Sequence, residues 1–316
     1  MNKKRKPFAA ELSVKTVFAL LISSPTLFLA SCNGGAEDDS GEGSNLVPTG
    51  INIPPAWIGL WRVTQTRSST EGVIPAHLDN FPQHKVESYC GEVKPEDFFI
   101  VPPELPGITL YSSGYWNDFF FTLTYSGQKS GGTCNVRWSQ SYDLMRTSTG
   151  FFGTHTVSLD PDPACDEEPY SQTIDMEGEF LDPLANQCDS SLQKTVPASW
   201  NGVWTDSSDT PLVYLCAGNS VASQLGDGTD QVSLGYAIES PFESSLHHIG
   251  ASIIDSNTAF PNCVAAQVLR IELSKTPGGN GAVFSGSGSY HVISGVCPPD
   301  GAGVVSLFRT EPDYCQ

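Results

Sequence analysis

A doubled cysteine pattern constrains this chain more than any other feature. Cys90, Cys134, Cys165 and Cys188 are spaced by 44, 31 and 23 residues, and Cys216, Cys263, Cys297 and Cys315 by 47, 34 and 18. Each set follows a Trp-x-Gly-x-Trp motif, Trp57-Ile58-Gly59-Leu60-Trp61 in the first case and Trp200-Asn201-Gly202-Val203-Trp204 in the second. One fold is therefore expected twice in tandem, in residues 53–192 and 193–316. No Cys-x-x-Cys pair exists, which argues against a zinc ribbon or a thioredoxin-like redox site. Eight cysteines divided in this way read as a disulfide framework, with the bridges inside each repeat. Three pairings per repeat are open. Sequential pairing is the preferred expectation: Cys90–Cys134 with Cys165–Cys188, and Cys216–Cys263 with Cys297–Cys315.

Hydrophobic phase supplies the secondary structure. After Cys134, even steps through Val136, Trp138 and Leu144 are mostly apolar while odd steps are polar. After Cys263, even steps through Ala265, Leu269, Ile271 and Leu273 repeat the phase. Alternation with period two is a half-buried strand. Gly and Pro interrupt the chain at short intervals, which favours many short strands. Strands are expected over 58–66, 98–101, 108–112, 118–125, 134–147, 151–159 and 173–181, then over 202–206, 212–217, 231–238, 246–254, 263–274, 282–293 and 304–310. The fold class is all-β: two small, disulfide-bonded β-barrels or β-sandwiches. The Trp residues read as core, and Gly59 and Gly202 as sites of close backbone approach on the first strand.

The N-terminus carries an address. Lys3, Lys4, Arg5 and Lys6 precede a mostly apolar run from Val17 to Ala30, and Leu29-Ala30-Ser31-Cys32 closes it. The run is too short to span a bilayer as a helix. Its three parts are those of an export signal, and the last four residues resemble the lipobox of bacterial lipoproteins. That resemblance implies cleavage before Cys32 and acylation of Cys32, which would anchor the protein to a membrane. Asn33, in place of Asp, implies the outer membrane of a Gram-negative envelope. Residues 32–52 are polar, Gly- and Ser-rich and acidic, and read as a flexible tether.

A second resemblance lies in the entry motifs. Gly59-Leu60-Trp61 and Gly202-Val203-Trp204 are similar to the Gly-x-Trp of lipocalins. The resemblance implies an eight-stranded barrel with an apolar cavity, and an Arg late in each domain packed over the Trp. Arg309 is placed for that role in the second repeat. The first repeat has no counterpart near Phe180.

Composition and motifs exclude more than they select. Removal of residues 1–31 leaves 11 Lys+Arg against 34 Asp+Glu, a formal charge of −23. Such a surface repels phosphate backbones, so nucleic acid is not an expected partner. Gly-x-Ser-x-Gly and His-Glu-x-x-His are absent, and no catalytic residue, metal or cofactor is expected. Ser191-x-x-Lys194 lies between the repeats without the rest of a serine-acylation signature. His247 and His248 must point to opposite faces of one strand and read as surface or edge histidines. The acidic clusters around Cys165 and at Asp227–Asp230 read as solvated loops. Gly286-Ser287-Gly288-Ser289 lacks the helix and lysine of a phosphate loop. The expected function is a non-enzymatic binding role in the cell envelope, for a small apolar ligand. The alternative is a structural or protein-interaction lipoprotein, and an envelope-polymer hydrolase ranks last.

Overall fold

The structure, a computed structural model, describes residues 51–315 apart from 91, 94–108, 132–133, 185, 226–230 and 257–258. Cys32, the signal segment 1–31 and nearly all of the tether lie outside the described residues, as do the strand expected over 98–101 and the acidic turn at Asp227–Asp230. The chain divides into two compact units between Ser190 and Ser191. This is two residues before the expected boundary, and Gln193 and Thr195 bridge to Ala237 and Ser220 of the second unit.

The first unit contains β1 (Ile51–Asn52), β2 (Gly59–Gly72), a short helix α1 (Ala76–Asp79), β3 (His84–Tyr89), β4 (Glu92–Val93), β5 (Thr109–Trp116), β6 (Phe120–Gly131), β7 (Cys134–Arg146), β8 (Gly150–Pro161) and β9 (Tyr170–Asp182). Seven strands form one antiparallel sheet in the order β3-β2-β9-β8-β7-β6-β5, while β1 pairs with β4. Consecutive strands are neighbours and the last returns to the first. That is the topology of an up-and-down barrel with one seam, between β3 and β5. Six inter-strand spacings would separate the edges of a flat sheet by about 29 Å. The Tyr89 and Trp116 rings, one on each edge strand, are instead 5.8 Å apart. The sheet has curled around its own apolar face. A sandwich would need a second layer, and each unit has one seven-stranded sheet.

The second unit repeats the plan with β10 (Gly202–Thr205), β11 (Pro211–Leu215), a short helix α2 (Val221–Leu225), β12 (Val232–Glu239), β13 (Ser244–Asp255), β14 (Val264–Lys275), β15 (Gly281–Ser294) and β16 (Gly301–Glu311), ordered β11-β10-β16-β15-β14-β13-β12. Its seam, between β11 and β12, is spanned by α2, which packs on both. Val221 is fully buried there, in space left by Gly235, where a Cβ would lie 2.7 Å from a Val221 methyl.

Both barrels close at one end on paired tryptophans. One-turn 3₁₀ helices, Pro55–Trp57 and Ala198–Trp200, lead into the first strand. Trp61 Nε1 donates to the Trp57 carbonyl at 2.9 Å and Trp204 Nε1 to the Trp200 carbonyl at 3.0 Å. These buried donors are satisfied locally, so four tryptophans can be almost fully buried. The expected close approaches are present. A Cβ on Gly59 would meet the Phe180 ring at 2.3 Å, and one on Gly202, at φ +135°, the Glu311 carbonyl at 2.7 Å. Arg309 pairs in register with Trp204, and its guanidinium lies 5.9 Å from that ring. Phe180 holds the same register opposite Trp61 and packs edge-on against it at 5.1 Å.

The bridges stay within each unit, but the sequential pairing is corrected. Cys90 bonds Cys188 and Cys134 bonds Cys165; Cys216 bonds Cys315 and Cys263 bonds Cys297. Ring closure explains the pattern. Gly59 and Leu60 lie opposite Tyr89 and Asp182, so β3 and β9 end on either side of the start of β2, and the cysteines just past them meet.

Candidate functional site

The two units share a register, so their interiors can be compared position by position. Two rows above the tryptophan floor stand Phe121, Leu144, Gly153 and Met176 in the first unit and Leu246, Leu273, Phe284 and Val305 in the second, so at one position the first unit has the glycine and the second the ring. The next row is Leu123, Tyr142, His155 and Ile174 in the first unit. The second unit has His248, Ile271, Gly286 and Gly303 at those positions. In the row beyond, Tyr125, Gln140, Val157 and Gln172 face Gly250, Leu269, Gly288 and Gly301 as counterparts. Five large side chains in the first barrel are thus glycines in the second.

The consequence is one interior packed to its rim with side chains and another packed near the tryptophans and glycine-lined beyond them. Tyr125, Gln140, Val157 and Gln172 are all buried. Tyr142 and His155 stack at 4.2 Å with rings 3° from parallel, and Gln140 Nε2 lies 2.8 Å from His155 Nε2 and 3.0 Å from the Tyr142 hydroxyl. Burial lowers the His155 pKa to about 3, so the imidazole is neutral. A groove of about 410 Å³ on this unit is lined by Ser126, Ser139, Ser158, Arg137 and Asp160; these side chains alternate with the core residues and so face outward.

In the second unit the inward residues Leu269, Gly288, Tyr290 and Gly301 are half-buried. A Cβ on Gly288 would meet nothing nearer than 4.0 Å. The wall is also shorter by half a strand. β2 has fourteen residues and pairs with β9 as far as Gly72, whereas β10 has four and leaves β16 at Thr205 opposite Phe308. The result is a half-open trough. Its base is the row of Leu246, Leu273, Phe284 and Val305, its wall is glycine with Leu269 and Ile271, and Gln267 with Tyr290 stands at the rim, the amide donating to the phenol at 3.3 Å.

The polar group inside the trough is His248, which is 2% exposed. The surface or edge placement expected for it is corrected. Adjacent strand residues do face opposite ways, but here His248 is the one that faces in. His247 faces out and stacks on Tyr236 at 4.6 Å. The Ser233 hydroxyl donates to the Ala222 carbonyl at 3.0 Å and lies 2.8 Å from His248 Nε2. A hydroxyl has one proton, so Nε2–H donates to Ser233 and Nδ1 remains an acceptor. Nδ1 has no hydrogen-bond partner among the described residues. Burial lowers the His248 pKa to about 4, so the ring is neutral at pH 7. Chemically Nδ1 is an unused acceptor enclosed within the barrel. The pair lacks the acid that orients the base of a nucleophilic serine, and its serine proton is already committed.

Two other clusters are structural. Cys134, Cys165 and Glu167 sit close enough to hold a metal, but the two sulfurs are bonded to each other. Lys275 is buried beside the floor, 4.4 Å from the Trp200 ring and 5.4 Å from Trp204, and donates to the Ser199 carbonyl. Burial first, then the nearby Arg309, lower its pKa to about 8. Lys194 lies over Tyr236 at 5.7 Å.

The sequence signal that could have found the trough was Gly286-Ser287-Gly288-Ser289. Its meaning needed the register against Gly301 and Gly303. Comparison with known proteins adds no assignment: no family model matches the chain, and neither a curated protein nor a solved structure matches it.

Proposed function

We propose that the chain is a lipid-anchored cell-envelope protein with a non-enzymatic binding role, in which the first unit is a filled spacer and the second is the binding module. The observation that carries the reading is the register-matched replacement of five side chains of the first barrel by glycine in the second. A packed interior costs stability when it is hollowed, so these glycines are better accounted for by a guest than by packing, except at Gly286, where the Phe284 ring takes the space. The guest is apolar in its buried part, as the wall of glycine, Leu269 and Ile271 is. The anchor rests on Leu29-Ala30-Ser31-Cys32, and the outer membrane on Asn33.

The test uses fragment 33–316 and the neutral apolar fluorophore N-phenyl-1-naphthylamine. One saturable site is expected, weakened at least tenfold in the Gly288→Val, Gly301→Val double variant. The matched change in the filled unit, Val157→Ile, should leave it unaltered. Equal binding by parent and double variant rejects the trough as the site. Native mass spectrometry with solvent extraction then identifies any guest that copurifies. The anchor is tested separately, by [³H]palmitate labelling that Cys32→Ser should abolish.

A further inference from the structure

We propose that the guest of the trough is an extended polypeptide strand, which pairs with the free edge of β16 where the distal half of β2 lies in the first unit. The inference deepens the binding role proposed above and rests on it.

Three observations converge. In the first unit, β2 continues past the floor and residues Thr66–Gly72 cover the β9 edge from Tyr170 to Asp175. In the second, β10 ends at Thr205, and the β16 edge from Gly301 to Leu307 has no ladder partner among the described residues. The repeat itself therefore shows what kind of object fits there: one strand of about seven residues.

The edge is also unguarded. Natural sheets protect bare edges with lysine, proline, bulges or short strands. From Gly301 to Phe308 this strand reads Gly-Ala-Gly-Val-Val-Ser-Leu-Phe, with no charge and no proline, in a chain of formal charge −19. Val304 and Phe308 are 65% and 51% exposed. A strand of this composition would be a pairing hazard in isolation, and pairing with a partner strand is the established way such an edge is used.

The emptied wall supplies the third observation. Side chains of a strand laid beside β16 alternate, and every second one points over the inward row. Gly301 and Gly303 on β16, with Gly288 behind them on β15, clear the space those side chains need. The partner is an extended segment with bulky apolar residues at alternate positions and neutral or basic flanks, given the acidity of this chain.

The probe is a fluorescein-labelled peptide, Lys-Thr-Val-Thr-Tyr-Thr-Val-Thr-Lys, titrated into fragment 33–316 by anisotropy. Two N-methylated forms carry the methyls on odd or on even residues. A strand presents alternate N–H groups to its neighbour, so one isomer should lose binding at least about tenfold through several lost hydrogen bonds, while the other keeps it. Gly301→Val with Gly303→Val should weaken the parent peptide to the same degree. Equal loss or equal retention by the two isomers overturns strand pairing. Absence of peptide binding while N-phenyl-1-naphthylamine still binds overturns it too, and leaves the trough standing. Failure of both probes removes the trough as well. A dimer that forms through β16 and excludes the peptide identifies a second copy as the occupant and overturns the foreign-strand proposal.

Discussion

Gln172 offers a measurement of how far the first barrel is committed to being solid. It lies on β9 opposite Val157 and Thr70, faces inward and is 2% exposed. Neither its amide oxygen nor its amide nitrogen has a hydrogen-bond partner among the described residues. An unsatisfied buried polar group costs about 1–3 kcal/mol. Methionine has nearly the same length and volume, adapts to irregular gaps and carries no such group. Gln172→Met is therefore expected to stabilise the first unit by about 1–3 kcal/mol, a rise of a few degrees per kcal/mol in its unfolding midpoint. The assay is denaturant and thermal unfolding of fragment 33–316 with disulfides intact; the second unit, unchanged by the substitution, serves as the internal reference. A Met variant less stable than the parent by about 1 kcal/mol or more would refute the reasoning. It would mean that the amide is paired in solution and that this interior, too, has a guest.

Acid should weaken both units in a defined window. The folded-state pKa of His248 lies near 4 and that of His155 near 3, both below the ordinary 6.5, so the unfolded chain takes up the proton first. Their contribution is complete above pH 6.5 and is lost as pH falls towards 4 in the second unit and 3 in the first; His248→Asn and His155→Phe should flatten those pH profiles. Loss of the Cys90–Cys188 bridge, with its 98-residue separation, should cost more than loss of Cys134–Cys165 at 31, about 4.7 against about 3.7 kcal/mol in the chain-entropy model; unfolding of the paired Cys→Ser variants measures the order. Arg309→Met should destabilise the second unit by about 1.5–3 kcal/mol, because it removes donors to the Ser199 carbonyl and Asn280 Oδ1 at 3.2 and 2.6 Å; a midpoint shift in the first unit instead would contradict the assignment.

Much of this architecture was legible before any coordinates. Period-two alternation placed β14 and β15 within a residue or two, and the Trp-x-Gly-x-Trp motifs located both first strands. Where local signals were weak the reading fell short. β2 was expected to stop at Thr66 but runs to Gly72, since its distal half is polar and owes its form to pairing with β9. β3 was not foreseen; its six residues, His84–Tyr89, carry few apolar side chains. Disulfide connectivity was misread because spacing along the chain does not reveal that β9 and β16 return to the first strand. The trough was invisible for a related reason. A glycine in a strand looks like a weakness until its neighbours two strands away prove to be glycine as well. His248 shows the limit most sharply, since alternation assigns it a side of the sheet but not which side is the inside.

The clasp between Cys90 and Cys188 has a mechanical meaning. Suppose a chain held on its N-terminal side is pulled from beyond Ser190. The load would enter the first unit at Ile53 and leave at Cys188, and the bridge would carry it directly to Cys90. Residues 91–187 lie outside that path. Because the start of β2 lies beside the end of β9, tension would peel that ladder one hydrogen bond at a time. It could draw out only Ile53 to Cys90, about 120–130 Å of chain at full extension. The bridge thus acts as a stop that limits how far the first unit can lengthen under strain, and its reduction, with Cys134–Cys165 intact, would nearly triple that length.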